Sequence, residues 1–204
     1  MNNETLEGFY WKQYLFLEAD LQRILEYIEL SSSNMGTYSQ RLLSFVLSAG
    51  SELDNFFKEL CTNKGKRLCI KDYYADVLAK YPQITQQKLA IVDYTIKLQP
   101  FKGWNQANPA TSLMAWENYN LSKHNRVTEY HRASLDTAIN LLGMLFILEM
   151  YEFESIYIAD KECDNSFPKN ESKLFILEGH AQRIRPSKTK LDVYDDDDGT
   201  HYTN

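Results

Sequence analysis

The sequence predicts a mostly α fold: a helical bundle with a small β-hairpin or short-strand accessory. Two patterns and one composition figure lead there. Apolar residues recur at three- and four-residue spacing through the long segments, and only Lys88–Leu98 is β-branched and partly alternating. With 44% hydrophobic and 13% aromatic residues, 204 residues can bury a sizeable core.

Phe9 to Leu30 reads as a first helix, with Tyr14, Leu17, Leu21, Ile24 and Ile28 on one stripe, and SSSNMG (Ser31–Gly36) breaks it. Tyr38 to Leu60 is the second. Its interior Gly50 costs stability relative to Ala and marks the close approach of another helix. Asp54 and Lys58 are spaced as an i,i+4 pair. Asp72 to Lys80 is a short helix stopped by Tyr81-Pro82, because the residue before proline resists the α region. KLAIVDYTIKL (Lys88–Leu98) is a strand or hairpin, and FKGWNQANPA is loop. A helix from Ala110 to about Ser122 follows Asn108-Pro109. The last long helix, Ala133 to Phe153, is apolar nearly all round, which places it mid-bundle or partly under a second subunit. SKLFILEG adds a short strand. These elements make one helical domain over residues 1–178, and the basic-then-acidic stretch 179–204 is predicted to be a flexible tail.

The net charge is −6, but Asp192 and Asp195–Asp198 supply five of the negatives, so the remaining body carries only −1. A broadly basic nucleic-acid surface is not indicated, whereas a local patch is compatible with this balance. Cys61, Cys69 and Cys163 are odd in number and show no C-x-x-C spacing, which fits reduced thiols in a cytoplasmic protein. MNNETLEGFYWKQY lacks a basic start followed by an apolar stretch, so no signal peptide is expected. The longest apolar run, Leu141–Leu148, is too short to span a membrane.

Phosphate-loop, nucleophile-elbow and H-E-x-x-H patterns are all absent. The chemistry-bearing residues concentrate instead in YNLSKHNRVTEYHR (Tyr119–Arg132), which holds two of the four histidines. A metal site on His124 and His131 would find only Glu117 and Glu129 nearby, short of a zinc ligand set, so no metal or other cofactor is expected. Acid–base chemistry beside a phosphate suits the residue types better. Histidine titrates near neutrality, and arginine offers a planar fork of donors to a phosphate whose charge grows in the transition state. His124, Arg126 and His131 are then the candidate catalytic residues. Asn120 and Lys123 are candidates for phosphate or RNA binding.

Arg126-Val-Thr-Glu-Tyr-His131, just before the long apolar helix, resembles the signature of the HEPN superfamily, an arginine and a histidine separated by four to six residues near the start of a C-terminal helix. Val127 departs from the polar residue the family prefers after the arginine. A second register, Tyr119-Asn120-Leu-Ser-Lys-His124, keeps the asparagine and histidine but has tyrosine in place of arginine; Lys123 is placed to supply that charge. The string W-x-x-Y-N-x-x-K-H-x-R, Trp116 to Arg126, is similar to bacterial proteins near that superfamily. The resemblance implies an α-helical bundle acting as a homodimer. It also implies metal-independent ribonuclease or RNA-binding activity in a bacterial defence or toxin system, with RNA and an antitoxin or defence component as partners.

Two plainer readings stand beside it. Asn120, Lys123, His124 and Arg126 would tie a helix junction together by capping carbonyls and pairing with Glu117 or Glu129, which makes the chain a non-catalytic dimerisation or scaffold module. Trp11, Trp104, Trp116 and Phe101 suit a core better than a base-stacking platform.

Overall fold

In the computed structural model, which describes residues 1–63, 67–159, 168 and 171–179, the chain forms helices around one central helix and a three-stranded sheet at its side. The basic-then-acidic tail lies outside the described residues, apart from its first position.

The first helical stretch opens with a single turn, α1 (Asn3–Thr5), capped where the Asn2 side chain accepts from the Thr5 N–H at 2.8 Å. It passes through a π-helical segment, Leu6–Trp11, into α2 (Lys12–Leu25). The wider turn sets Leu6 and Trp11 into the core alongside Tyr14, Leu17 and Leu21. Helix α3 (Gln40–Leu60) starts at Ser39, whose hydroxyl accepts from Leu42 N at 3.1 Å. Helix α4 (Ile70–Lys80) starts two residues earlier than the sequence suggests, because Cys69 takes the cap and the Asp72 carboxylate accepts the Cys69 N–H at 2.8 Å. Its far end is fastened to α7 (Leu135–Ala159), where the buried Glu152 carboxylate accepts from Lys80 and from the Tyr81 hydroxyl.

Helix α5 (Met114–His124) begins four residues later than the predicted Ala110. Loop groups hold the intervening residues in turns: the Trp104 indole donates to Pro109 O at 3.0 Å, and the Asn105 N–H donates to the Ser112 hydroxyl at 3.0 Å. A one-turn helix α6 (Arg126–Glu129) and a 3₁₀ turn, Tyr130–Arg132, lead into α7.

Of the two placements expected for the all-round apolar helix, the central one holds. Helices α2, α3 and α5 and the sheet surround α7, and every residue from Leu141 to Glu149 is buried. The first two N–H groups of α7 are satisfied by backbone: Leu135 donates to Thr37 O and Asp136 to Met35 O, at 2.9 and 3.0 Å.

The sheet is antiparallel in the order β2–β1–β3, with β1 (Leu89–Ile91) between β2 (Lys97–Leu98) and β3 (Phe175–Leu177). Its register places Leu89 opposite Leu98 and Leu177, so one face is apolar and lies on α7 at Gly143. A Cβ at Gly143 would stand 3.0 Å from both Leu89 Cδ1 and Pro100 Cγ. The buried Glu18 of α2 anchors the start of β3, accepting the N–H groups of Lys173 and Leu174 at 3.0 Å each. No helix among the described residues is long and apolar enough to cross a membrane.

Gly50 does mark a close approach. A Cβ there would overlap the ring of Tyr119 on α5, a collision with a ring that is itself buried. Gly50→Ala should therefore destabilise the fold by about 1–3 kcal/mol despite its better helix propensity. Urea denaturation measures this directly; an unchanged or raised midpoint contradicts the packing described.

Candidate functional site

Helices α5 and α6 and the start of α7 meet at a corner where the residues singled out from the sequence divide into two sets. A polar network ties the corner together, and its members are Arg132, Asn118, Glu129, Ser134 and Thr137. Arg132 Nε pairs with the Glu129 carboxylate, and its Nη1 donates to Asn118 Oδ1 at 3.0 Å. Asn118 Nδ2 donates to the Thr137 hydroxyl at 3.1 Å, and that hydroxyl donates to Arg132 O at 2.7 Å. Ser134 Oγ accepts the Thr137 N–H at 3.3 Å.

The junction work expected of Asn120, Lys123, His124 and Arg126 is thus carried by neighbours. Glu129 pairs with Arg132, not with Arg126. His124, Arg126 and His131 are all exposed and make no hydrogen bond or ion pair among the described residues. Lys123 is also exposed, but its ammonium donates to the Tyr119 hydroxyl at 3.2 Å and lies 5.3 Å from that ring's centroid. Asn120 is half-buried and bonds back to its own helix, Nδ2 to Trp116 O at 3.0 Å.

The two registers read from the sequence fare differently. In the second, Tyr119 is a core residue, held against α3 at Gly50 and buried to 2% exposure. It occupies the arginine position without facing solvent. In the first, Arg126 and His131 bracket a short helical turn, with Val127 between them 97% exposed.

Beside the corner a groove of about 410 Å³ opens between α3, the start of α4 and α5; Asp54, Tyr73, Trp116, Glu117, Asn120 and His124 are among its lining residues. It brings Asn120 and His124 together on one wall, since residues 117, 120 and 124 share a face of α5. Lys123, Arg126 and His131 do not line it. The Asp54 carboxylate is already engaged there, accepting from the Tyr73 hydroxyl at 2.9 Å and pairing with Lys58 as the i,i+4 spacing anticipates. Glu117 is half-buried and has no partner among the described residues. Sequence reasoning weighed it as a metal ligand or a partner for the junction cations, not as a groove wall. Its helical spacing from His124 was the available signal. The described residues hold no cluster of three or more histidines, cysteines or acids suited to a metal ion.

The expected core role of the tryptophans holds: Trp11, Trp104 and Trp116 are buried, as is Phe101. The aromatic group Phe57, Tyr73, Trp104 and Trp116 forms the floor under the groove, with Phe57 and Tyr73 stacked at 5.1 Å between centroids.

A further group escaped the sequence reading. Glu149 of α7 is fully buried, and neither carboxylate oxygen has a hydrogen-bond partner among the described residues. Burial pushes its carboxyl well above the usual carboxylate range, and the charge of half-buried Glu52 on α3 adds to the effect. An acid closing the longest apolar run was the visible sign.

Comparison with protein-family models, with curated proteins and with solved structures finds no match for this chain.

The raised Glu149 carboxyl fixes a sign for the pH dependence of stability. Above about pH 4.5 the folded chain binds a proton at Glu149 that the unfolded chain has released, so this group's contribution to stability falls as pH rises. Glu149→Met should therefore raise the melting temperature at pH 7 by at least about 3 °C, the shift expected per kcal/mol in a chain of this size. The gap between variant and wild type should close as pH is lowered through 4.5. Thermal melts from pH 4 to 8 measure it, and a gap that widens toward acid contradicts the assignment.

Proposed function

We propose that the α5–α7 corner is an RNA-handling site of HEPN-like type, belonging to a cytoplasmic, homodimeric bacterial protein that acts in defence or toxin biology as a metal-independent ribonuclease or RNA-binding component. The observation that carries this reading is the division of labour at the corner. Arg132 and Asn118 hold the helices together, while His124, Arg126 and His131 stand exposed with no partner among the described residues. Cationic and imidazole groups with no structural task are available to a ligand, and a phosphate is the ligand they suit.

The chemistry follows from the residue types. Arg126 holds the non-bridging oxygens of the scissile phosphate. His131 or His124 removes the proton from the RNA's own 2′-hydroxyl, whose oxygen then bonds to phosphorus. The bond from phosphorus to the 5′-oxygen breaks, and that oxygen leaves with a proton from a protonated histidine, giving a cyclic 2′,3′-phosphate and a 5′-hydroxyl end. Lys123, one turn from Tyr119, adds positive charge along the strand's path. Val127, the most exposed large apolar side chain among the described residues and set between Arg126 and His131, suits burial by a second copy that brings two such motifs together.

The alternative, a non-catalytic interaction module, draws on Phe9 and Phe16, which leave large apolar surface exposed on the first helical stretch.

Purified protein incubated with total RNA, beside three variants, separates these readings. Arg126→Ala and His124→Ala should each abolish RNA cleavage or binding and leave the melting temperature within about 1 °C, as exposed sites outside any network do. Arg132→Ala should lower stability by about 1–2 kcal/mol, since it breaks the bonds to Glu129 and Asn118 at a site roughly one-third exposed. RNA handling unchanged in both Arg126→Ala and His124→Ala contradicts the RNA site.

A further inference from the structure

We propose that the groove between α3, α4 and α5 is the base-recognition subsite of this RNA surface, holding an unpaired guanine by its Watson–Crick edge. The inference rests on the RNA reading above and names what that site selects.

Its basis is the state of the groove's polar groups. Asp54 is spent on Tyr73 and Lys58, but Glu117 presents a carboxylate with no partner among the described residues. One turn on, Asn120 uses one N–H on Trp116 O, leaving its second N–H and its carbonyl oxygen for a ligand. A further turn on, exposed His124 closes that wall. The remaining walls include Leu68, Ile70 and Leu121, which suit a flat neutral heterocycle better than a hydrated ion. At about 410 Å³ the space falls in the range of roughly 300–1,000 Å³ typical of small-ligand sites.

The identity of the base follows from donor and acceptor matching. An ionised carboxylate only accepts, through two parallel oxygens. Guanine alone among the four bases presents two adjacent donors, N1–H and the N2 amino group, on its Watson–Crick edge. Cytosine and adenine set an acceptor nitrogen beside their amino group, which would face the second oxygen of Glu117. Uracil flanks its single N–H with carbonyls. The Asn120 N–H is then available to guanine O6. The attached phosphate runs toward the groove end formed by His124 and Asn125, directly before Arg126.

An arginine side chain from a protein partner carries a similar donor pair. Charge argues against it: Arg126 beside the groove attracts a phosphate and repels a guanidinium.

Fluorescence anisotropy with two labelled single-stranded RNA decamers, alike except for one central guanine or adenine, tests the assignment. The guanine strand should bind at least about tenfold more tightly, as one good bidentate pair allows. Glu117→Gln should bring the two strands to within about twofold. On the wild-type protein guanosine should displace the guanine strand and N-acetyl-arginine amide should not, a readout that stands even if the variant folds poorly. Equal binding of both strands overturns the guanine assignment and leaves the RNA reading intact. Displacement by the arginine amide and not by guanosine overturns it in favour of a protein partner. Binding of neither strand overturns both readings.

Discussion

Where α3 passes α5, the missing side chain at Gly50 lets the Tyr119 ring lie directly against the helix, at a spot where a single Cβ would collide with it. That approach sets how far α5 stands from α3, and therefore how wide the groove beside them opens. It also fixes the rotation of α5. With Tyr119 turned inward against α3, helical periodicity brings Glu117, Asn120 and His124 to the groove wall and leaves Lys123 stacked on the outer edge of the same tyrosine. The corner that follows inherits this orientation, since Asn118 of α5 is bonded to both Arg132 and Thr137. One glycine and one aromatic ring thus position most of the polar groups that matter.

The buried acids show how the bundle treats charge. Glu18 and Glu152 are spent on structure, one accepting the N–H groups at the start of β3 and the other joining α4 to α7. Both are compensated by donors, as buried carboxylates must be. Glu149 has no such donors among the described residues and sits opposite Glu52, so the neutral acid is the form the fold favours. The cations follow the reverse rule. Arg132 is consumed by its network, whereas Arg126, six residues earlier, lies outside it. Proximity in sequence to the arginine–histidine pattern does not decide which arginine is available; the hydrogen bonds do.

Much of the fold was legible in the sequence because its signals are local. Periodic apolar stripes located the helices, Gly50 announced a close approach, and Tyr81-Pro82 stopped α4 as proline sterics require. The start of α5 was misplaced because the groups that hold residues 109–112 in turns come from Trp104 and Asn105, whose roles appear only once the loop is folded. The π-helical turn at Leu6–Trp11 left no mark in the pattern. For the site, the clustering of polar residues in Tyr119–Arg132 was visible, but their division was not. Tyr119 facing the core, Arg132 tying the corner and Glu117 lining the groove all depend on the rotation of α5 against helices distant in sequence. The placement of α7 at the centre was one of two readings its composition allowed, and contacts with α2, α3 and α5 decide between them.

The exposed corner and its groove are the surface proposed to meet RNA. Amide and imidazole chemical shifts of the isotopically labelled protein, followed while a short single-stranded RNA is added, address that claim most directly. The account predicts perturbations concentrated at Asn120–His131 and at groove residues such as Glu117 and Cys69, with the α2 face and the sheet unchanged. Perturbations centred on Phe9 and Phe16, or none at RNA concentrations in the millimolar range, would contradict it.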